Sequence, residues 1–323
     1  MKSKSQIIVL LLIVWAVGCR YQSQKDRDLL ADNYLSDADQ FIEQGMMDSA
    51  LAAFNLALEE NPRLVEAHKG IGNIYRRRGD YERASRAYKQ ATIINPADYE
   101  AHYFLGLMKQ LSGQLLEAVK SYLQALAINP QSLTANRDLA ATYLQLGRPG
   151  EALPYAQRAT VLDPDSQPAW SNLAATYSLL KQYKEAVDTY RQAAELGELA
   201  DPVLLGLADA HIKLGHYARA INTLNSLIRR SPTSTAYERL GYAQFKMRYF
   251  EKALKNFQKA VEIDHNDVAA LNGVGVCMMT LYIEGERENT SQKEAAIRAW
   301  QHSLKLKKDQ PRIIDLLSRY SKF

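Results

Sequence analysis

Cysteine is nearly missing from this chain: Cys19 and Cys277 are the only two among 323 residues. Two thiols cannot build a disulfide framework. Ten prolines and sixteen glycines are too few for a collagen or a linker-rich array. No sign of charge dominates, because 40 Lys and Arg meet 36 Asp and Glu for a net charge of +4. A dedicated nucleic-acid binder needs a basic stripe, so no nucleic acid is expected as a partner. The usual chemical motifs are missing too. The chain has no Gly-x-x-x-x-Gly-Lys-Ser/Thr loop, no Gly-x-Ser-x-Gly elbow and no His-Glu-x-x-His pair. Gly70-Ile-Gly72 and Gly273-Val-Gly275 lack the third glycine of a dinucleotide loop. His68 and His102 share a repeat position but have no third ligand, which makes a poor zinc site. Cys277 lies in the apolar stretch from Gly273 to Thr280, with no His or cation to activate it. The expectation is a chain that is not an enzyme and uses no cofactor or metal. Hydrophobic residues at 47% and charged residues at 24% fit an ordinary folded chain and exclude wholesale disorder.

The first residues read as an address. Lys2 and Lys4 precede twelve apolar residues, Ile7 to Gly18. A bilayer-spanning helix needs about 20 such residues. A basic start, a short apolar centre and a small residue form a secretory signal peptide over 1–18. The run Ala16-Val17-Gly18-Cys19 resembles the bacterial lipoprotein signal, which implies lipidation of Cys19. An ordinary signal peptide or an uncleaved anchor is the alternative. Arg20 follows where enteric-type bacteria use Asp for inner-membrane retention, so the resemblance implies an outer-membrane lipoprotein facing the periplasm. Residues 19–30 read as a tether.

What the chain has in abundance is repetition. Ala50, Ala84, Ala118, Ala152, Ala186 and Ala220 are each 34 residues apart, and Ala253 and Ala296 follow after 33 and 43. Four residues past each comes a large side chain in most units, such as Phe54, Tyr88, Tyr122, Tyr190, Phe257 and Trp300. Twelve residues before each stands a small one: Ala38, Gly72, Gly106, Ala140, Ala174, Ala208, Gly241 or Gly275. Prolines at 62, 96, 130, 164 and 232 close five of the units. This resembles the tetratricopeptide repeat over residues 31–309, with units starting near 31, 65, 99, 133, 167, 201, 234 and 268. The resemblance implies an all-α, right-handed solenoid of about eight helical hairpins. Each hairpin has an apolar face that only a neighbour can bury. Gly79, Gly113, Gly147 and Gly215 are expected in left-handed turns between paired helices. Residues 310–323 are expected to form a capping helix, with Ile313, Ile314, Leu316 and Leu317 covering the last hairpin. Two irregularities remain. Glu198 stands in place of a closing proline, so a bend is expected there. Nine extra residues lie within Leu281 to Glu294, expected as a projection or a solvated loop.

In the tetratricopeptide family the first helices line a concave groove. Its exposed positions are the second, fifth, ninth, twelfth and thirteenth of each unit. In this sequence they give Lys69, Asn73, Arg76, Tyr103, Arg137, Tyr242, Phe245, Lys246 and Met279 as candidate partner-binding residues. Lys69 and Asn73 match the first half of the carboxylate clamp of chaperone-binding members. Phe104, Thr134 and Asp138 stand where the remainder should be, so the complete clamp is absent, and what remains is a generic anion pocket of Lys69, Asn73, Arg76 and Arg137 or a solvated charged face with no dedicated ligand. Tyr242, Phe245 and Met279 suggest an apolar strip for a partner segment, or packing among themselves and the cap. The functional expectation is a membrane-anchored scaffold that holds a protein or peptide segment in its groove. The resemblance implies pilus or secretion-pore assembly, or recruitment of hydrolases. A self-associating homo-oligomer is the alternative.

Overall fold

The computed structural model describes residues 24–321, and every regular element among them is a helix. They fall into two compact units that divide after Leu162. The first holds α1 (residues 24–43), α2 (Met47–Glu60), α3 (Val65–Arg77), α4 (Tyr81–Ile94), α5 (Tyr99–Leu111), α6 (Leu115–Ile128), α7 (Leu133–Gln145) and α8 (Pro149–Leu162). The second holds α9 (Gln167–Leu179), α10 (Tyr183–Glu195), α11 (Asp201–Lys213), α12 (Tyr217–Arg230), α13 (Ser234–Lys246), α14 (Phe250–Ile263), α15 (Val268–Glu284), α16 (Thr290–Leu306) and α17 (Pro311–Tyr320). Within each unit, consecutive helices pair as antiparallel hairpins and each hairpin packs on the next.

The packing follows from the repeated residues. Ala84, Ala118, Ala186 and Ala253 are fully buried, as are the rings of Tyr88, Tyr122 and Trp300. Each ring lies against a small residue of the facing helix. A Cβ added to Gly106 would meet Tyr122 at 2.8 Å, so only glycine admits that ring. Of the nineteen tyrosines, Tyr88, Tyr122, Tyr143 and Tyr190 are buried. The turn glycines 79, 113, 147 and 215 adopt φ of 69–76°. Lys181 and Arg248 hold the equivalent turns at φ 63° and 64°, where a side chain is strained.

One recurrent contact lies outside the hydrophobic register. The fourth residue of four successive units reaches the carbonyl of the proline six residues earlier. His68 Nε2 stands 3.2 Å from Pro62 O and His102 Nε2 3.1 Å from Pro96 O. Asn136 donates to Pro130 O at 3.2 Å and Trp170 to Pro164 O at 2.7 Å. A carbonyl can only accept, so both histidines carry their proton on Nε2. Their role is to tie the end of one unit to the start of the next.

Three expectations need correction. The tether over 19–30 is helical from residue 24, because the helix that buries Ala31 begins early. Arg27 and Asp28 brace it, at 3.1 Å to Glu60 and 3.3 Å to Asn61. The nine extra residues of the last hairpin do not form a loop. They lengthen α15 and α16 to 17 residues each, against 13 and 14 in the preceding pair, and widen the turn between them to residues 285–289. In the final helix Ile313 is buried and Leu316 and Leu317 pack on the Trp300 cluster, but Ile314 is half exposed. The junction after α10 lacks a proline, and Arg230 holds it instead. Its guanidinium donates to Asp201 at 2.7 Å and to Leu199 O at 2.8 Å, and pairs with Glu198.

Candidate protein-binding clefts

Each unit carries an open cleft along its first helices. In the first unit the cleft is about 560 Å³, and Lys69, Asn73 and Arg76 line it beside Glu66, Arg77 and Phe104. Helix α3 brings the three predicted residues together, because positions five, nine and twelve share a helix face. Lys69 is not the open anion site expected of it. Its ammonium lies 3.4 Å from Asp98, the N-cap of α5, and pairs more closely with Glu100. Burial works against its charge, but these carboxylates outweigh that and hold its pKa above the ordinary lysine value. The chain supplies its own anion here.

Arg76 differs. Its guanidinium stacks 4.8 Å above the Phe104 ring and donates to Asn73 Oδ1 at 3.3 Å. Asn73 Oδ1 also accepts the Tyr88 hydroxyl at 2.8 Å. Arg76 Nε is buried with no hydrogen-bond partner among the described residues. Phe104, which breaks the clamp pattern, is therefore the platform for a cation with no carboxylate against it.

Tyr103 and Arg137 do not line this cleft. The Tyr103 hydroxyl donates to Asp138 at 2.8 Å, and Arg137 donates to the same carboxylate at 2.7 Å. Burial first, then the Asp138 charge, pushes the Tyr103 phenol well above its usual range. Asp138, at the sixth position of its unit, thus engages both candidates, Tyr103 from α5 and Arg137 beside it on α7.

The second unit has a larger cleft of about 810 Å³, lined by Tyr242 with Asp209, Lys213, Glu238 and Arg239 and further tyrosines. Tyr242 is 38% exposed, and Lys246 stands over its ring at 5.7 Å. Phe245 turns away and packs on Phe250, with 5.2 Å between centroids. Met279 is 3% exposed and belongs to the core with Trp300 and Ile313. Its expected place in an apolar strip is corrected, since the lengthened last hairpin and α17 enclose it. The Glu238–Arg239 pair was missed. Arg239 Nε donates to Asp209 at 2.8 Å while its other arm pairs with Glu238. Glu238 is the fifth residue of its unit, equivalent to Lys69, and that register was the available signal.

Cys277 is buried, and burial pushes its thiol up to about 12. It stays protonated at neutral pH, the opposite of an activated nucleophile. Cys19 and the signal over 1–18 lie outside the described residues.

The model of the cilia and flagella-associated protein 70 C-terminal domain family matches residues 20–202. Tetratricopeptide repeat models match residues 179–241 and 234–267. No curated protein matches the chain. A tetratricopeptide repeat protein from Parabacteroides merdae is 19% identical, with a TM-score of 0.54 over 77% of this chain and 99% of its own. PilF of Pseudomonas aeruginosa is 20% identical, with a TM-score of 0.54 over 66% and 97%. YrrB, a tetratricopeptide repeat protein described as having an unusual peptide-binding site, is 18% identical, with a TM-score of 0.51 over 62% and 99%. At such identities the likeness shows the fold alone.

Proposed function

The chain belongs to the tetratricopeptide-repeat family defined by the C-terminal domain of cilia and flagella-associated protein 70, and on that premise we propose that it is a non-enzymatic scaffold holding protein segments in its two clefts. The observation that carries this is Arg76: a guanidinium mounted on Phe104 in the lining of a cleft, with no carboxylate paired to it among the described residues. No ion pair among the described residues uses it. Peptide binding by YrrB supports the same reading. The partner is an envelope protein, since the lipoprotein-like signal ending at Cys19 would fix the chain to the outer membrane on its periplasmic side. Two acyl chains make a lasting anchor where one makes a marginal one. Assembly of a pilus or secretion pore, or recruitment of a hydrolase, is the setting such a scaffold serves.

Two experiments test the proposal. Arg76→Glu in the full chain is expected to lower recovery of the envelope partner at least about tenfold, the scale of an interface hot spot, with the helical circular dichroism unchanged. Lys89→Glu, an exposed change on α4, is expected to leave recovery intact. Equal recovery with Arg76→Glu, or equal loss with Lys89→Glu, contradicts the cleft reading. Cys19→Ser is expected to abolish palmitate labelling and release the chain from membranes. Retained labelling sinks the anchor.

A further inference from the structure

The cleft of the second unit is walled by Tyr183, Tyr190, Tyr217 and Tyr242. Tyr183 and Tyr217 are the first residues of α10 and α12, 34 positions apart, so successive repeats present the same ring at the same place. Both rings rest on the cores of their hairpins. The hydroxyls of Tyr183, Tyr217 and Tyr242 have no hydrogen-bond partner among the described residues. The cleft therefore offers aromatic faces carrying free donors.

Three of its four charged side chains are spent internally, and Lys213 stands exposed in the lining. Arg239 holds Asp209 at 2.8 Å and pairs with Glu238, which is 7% exposed. A charged partner that drew on Arg239, Asp209 or Glu238 would have to break these pairs and leave a buried carboxylate or guanidinium behind, which is costly. A neutral partner leaves them in place.

Resting on the cleft reading above, we propose that the second-unit cleft takes an uncharged, proline-rich segment in the polyproline II conformation. That helix repeats every three residues with a rise of about 3.1 Å each, so one turn advances about 9 Å. Helix α11 packs on both α9 and α13, and packed helices lie about 8–10 Å apart. One turn of the segment thus spans one repeat, and every third residue meets an equivalent tyrosine. Proline rings lie on the aromatic faces, as in other aromatic-lined grooves that read such segments. The segment's carbonyls have no internal hydrogen bonds, and the free phenols donate to them. A segment already stiff also loses little conformational entropy on binding.

The probe is a fluorescent proline decamer titrated into the full chain in mild detergent, with lysine, glutamate and glycine-serine decamers beside it. Saturable binding is expected for the proline decamer alone, unchanged by added salt. Tyr242→Ala is expected to weaken it at least about tenfold. Tyr217→Phe keeps the packed ring, removes the donor, and is expected to weaken binding severalfold with circular dichroism unchanged. No saturable binding, equal binding by both variants, or preference for a charged decamer overturns the proposal. If the envelope partner still depends on the clefts while the proline decamer fails, the polyproline chemistry alone is wrong. If neither binds, the cleft reading falls with it.

Discussion

Alanine at Gly275 and alanine at Gly150 should move stability in opposite directions. At Gly275 on α15, an added Cβ would lie 2.5 Å from Trp300 Cδ1 and 2.8 Å from its Cε2. Carbon atoms rest at about 3.5–4.0 Å, so the overlap is about 1 Å against a rigid ring. The ring cannot retreat, because Trp300 is fully buried among Met279, Ala296 and Ile313. Overpacking of this kind costs about 1–3 kcal/mol, and a clash with three ring atoms, Nε1 the nearest, belongs at or above the upper end. Replacing glycine by alanine within a helix returns about 1 kcal/mol. The net expectation is a loss of about 2 kcal/mol. At Gly150 on α8 nothing lies within 4 Å of the added Cβ, so only the propensity acts, for a gain of about 0.5–1 kcal/mol. Hydrogen exchange by mass spectrometry reads both locally. Amides of α15 and α16 should exchange roughly thirtyfold faster in Gly275→Ala, since about 1.4 kcal/mol is tenfold. Those of α7 and α8 should exchange about twofold to fivefold more slowly in Gly150→Ala. Unchanged or slowed exchange around Trp300 would refute the close-packing argument.

Ala118 is fully buried beside Tyr122 and Leu139, so Ala118→Trp should destabilise the first unit by about 3 kcal/mol or more; an unchanged melting curve contradicts the register. Lys181 occupies a left-handed turn at φ 63°, so Lys181→Gly should stabilise the second unit by roughly 1 kcal/mol, read as a higher denaturant midpoint. His211 is buried, and burial first, then the charges of His216, Arg219 and Arg191, lower its pKa to about 4. The unfolded chain binds more protons than the folded one between about pH 6.5 and 4, so the second unit should lose roughly 1–3 kcal/mol as pH falls through that window. His211→Phe should flatten that part of the pH profile, and an equally steep profile would show that another group is responsible.

The hairpins were legible because their packing is local and repeated. A small residue on the first helix, and an alanine one turn before a large side chain on the second, leave the same mark in most units, so Ala118 with Tyr122 and Gly275 with Trp300 could be read from spacing alone. The clefts were legible only as helix faces. Position five places Lys69, Tyr103, Arg137 and Glu238 on the groove side, but the fates of Lys69 and Tyr103 depend on residues about the next first helix. Asp98 and Glu100 open α5 and take Lys69; Asp138 on α7 takes Tyr103. Such pairs join residues about thirty apart that no single unit's pattern contains. Met279 failed for another reason. The repeat register places it on the groove, but two lengthened helices and a capping helix bury it. A register describes the average unit, and the terminal unit is the one that departs from it.

The central claim, that the clefts rather than the outer helices hold the partner, is tested most directly by placing a photo-crosslinking residue at single exposed sites of the full chain expressed in cells. Arg77 and Lys213 line the two clefts, while Lys89 and Lys120 are exposed on the second helices α4 and α6. Covalent protein adducts are predicted at Arg77 or Lys213 and lost when Arg76→Glu or Tyr242→Ala is added to the matching cleft. Adducts at Lys89 or Lys120 with none at the clefts would contradict it.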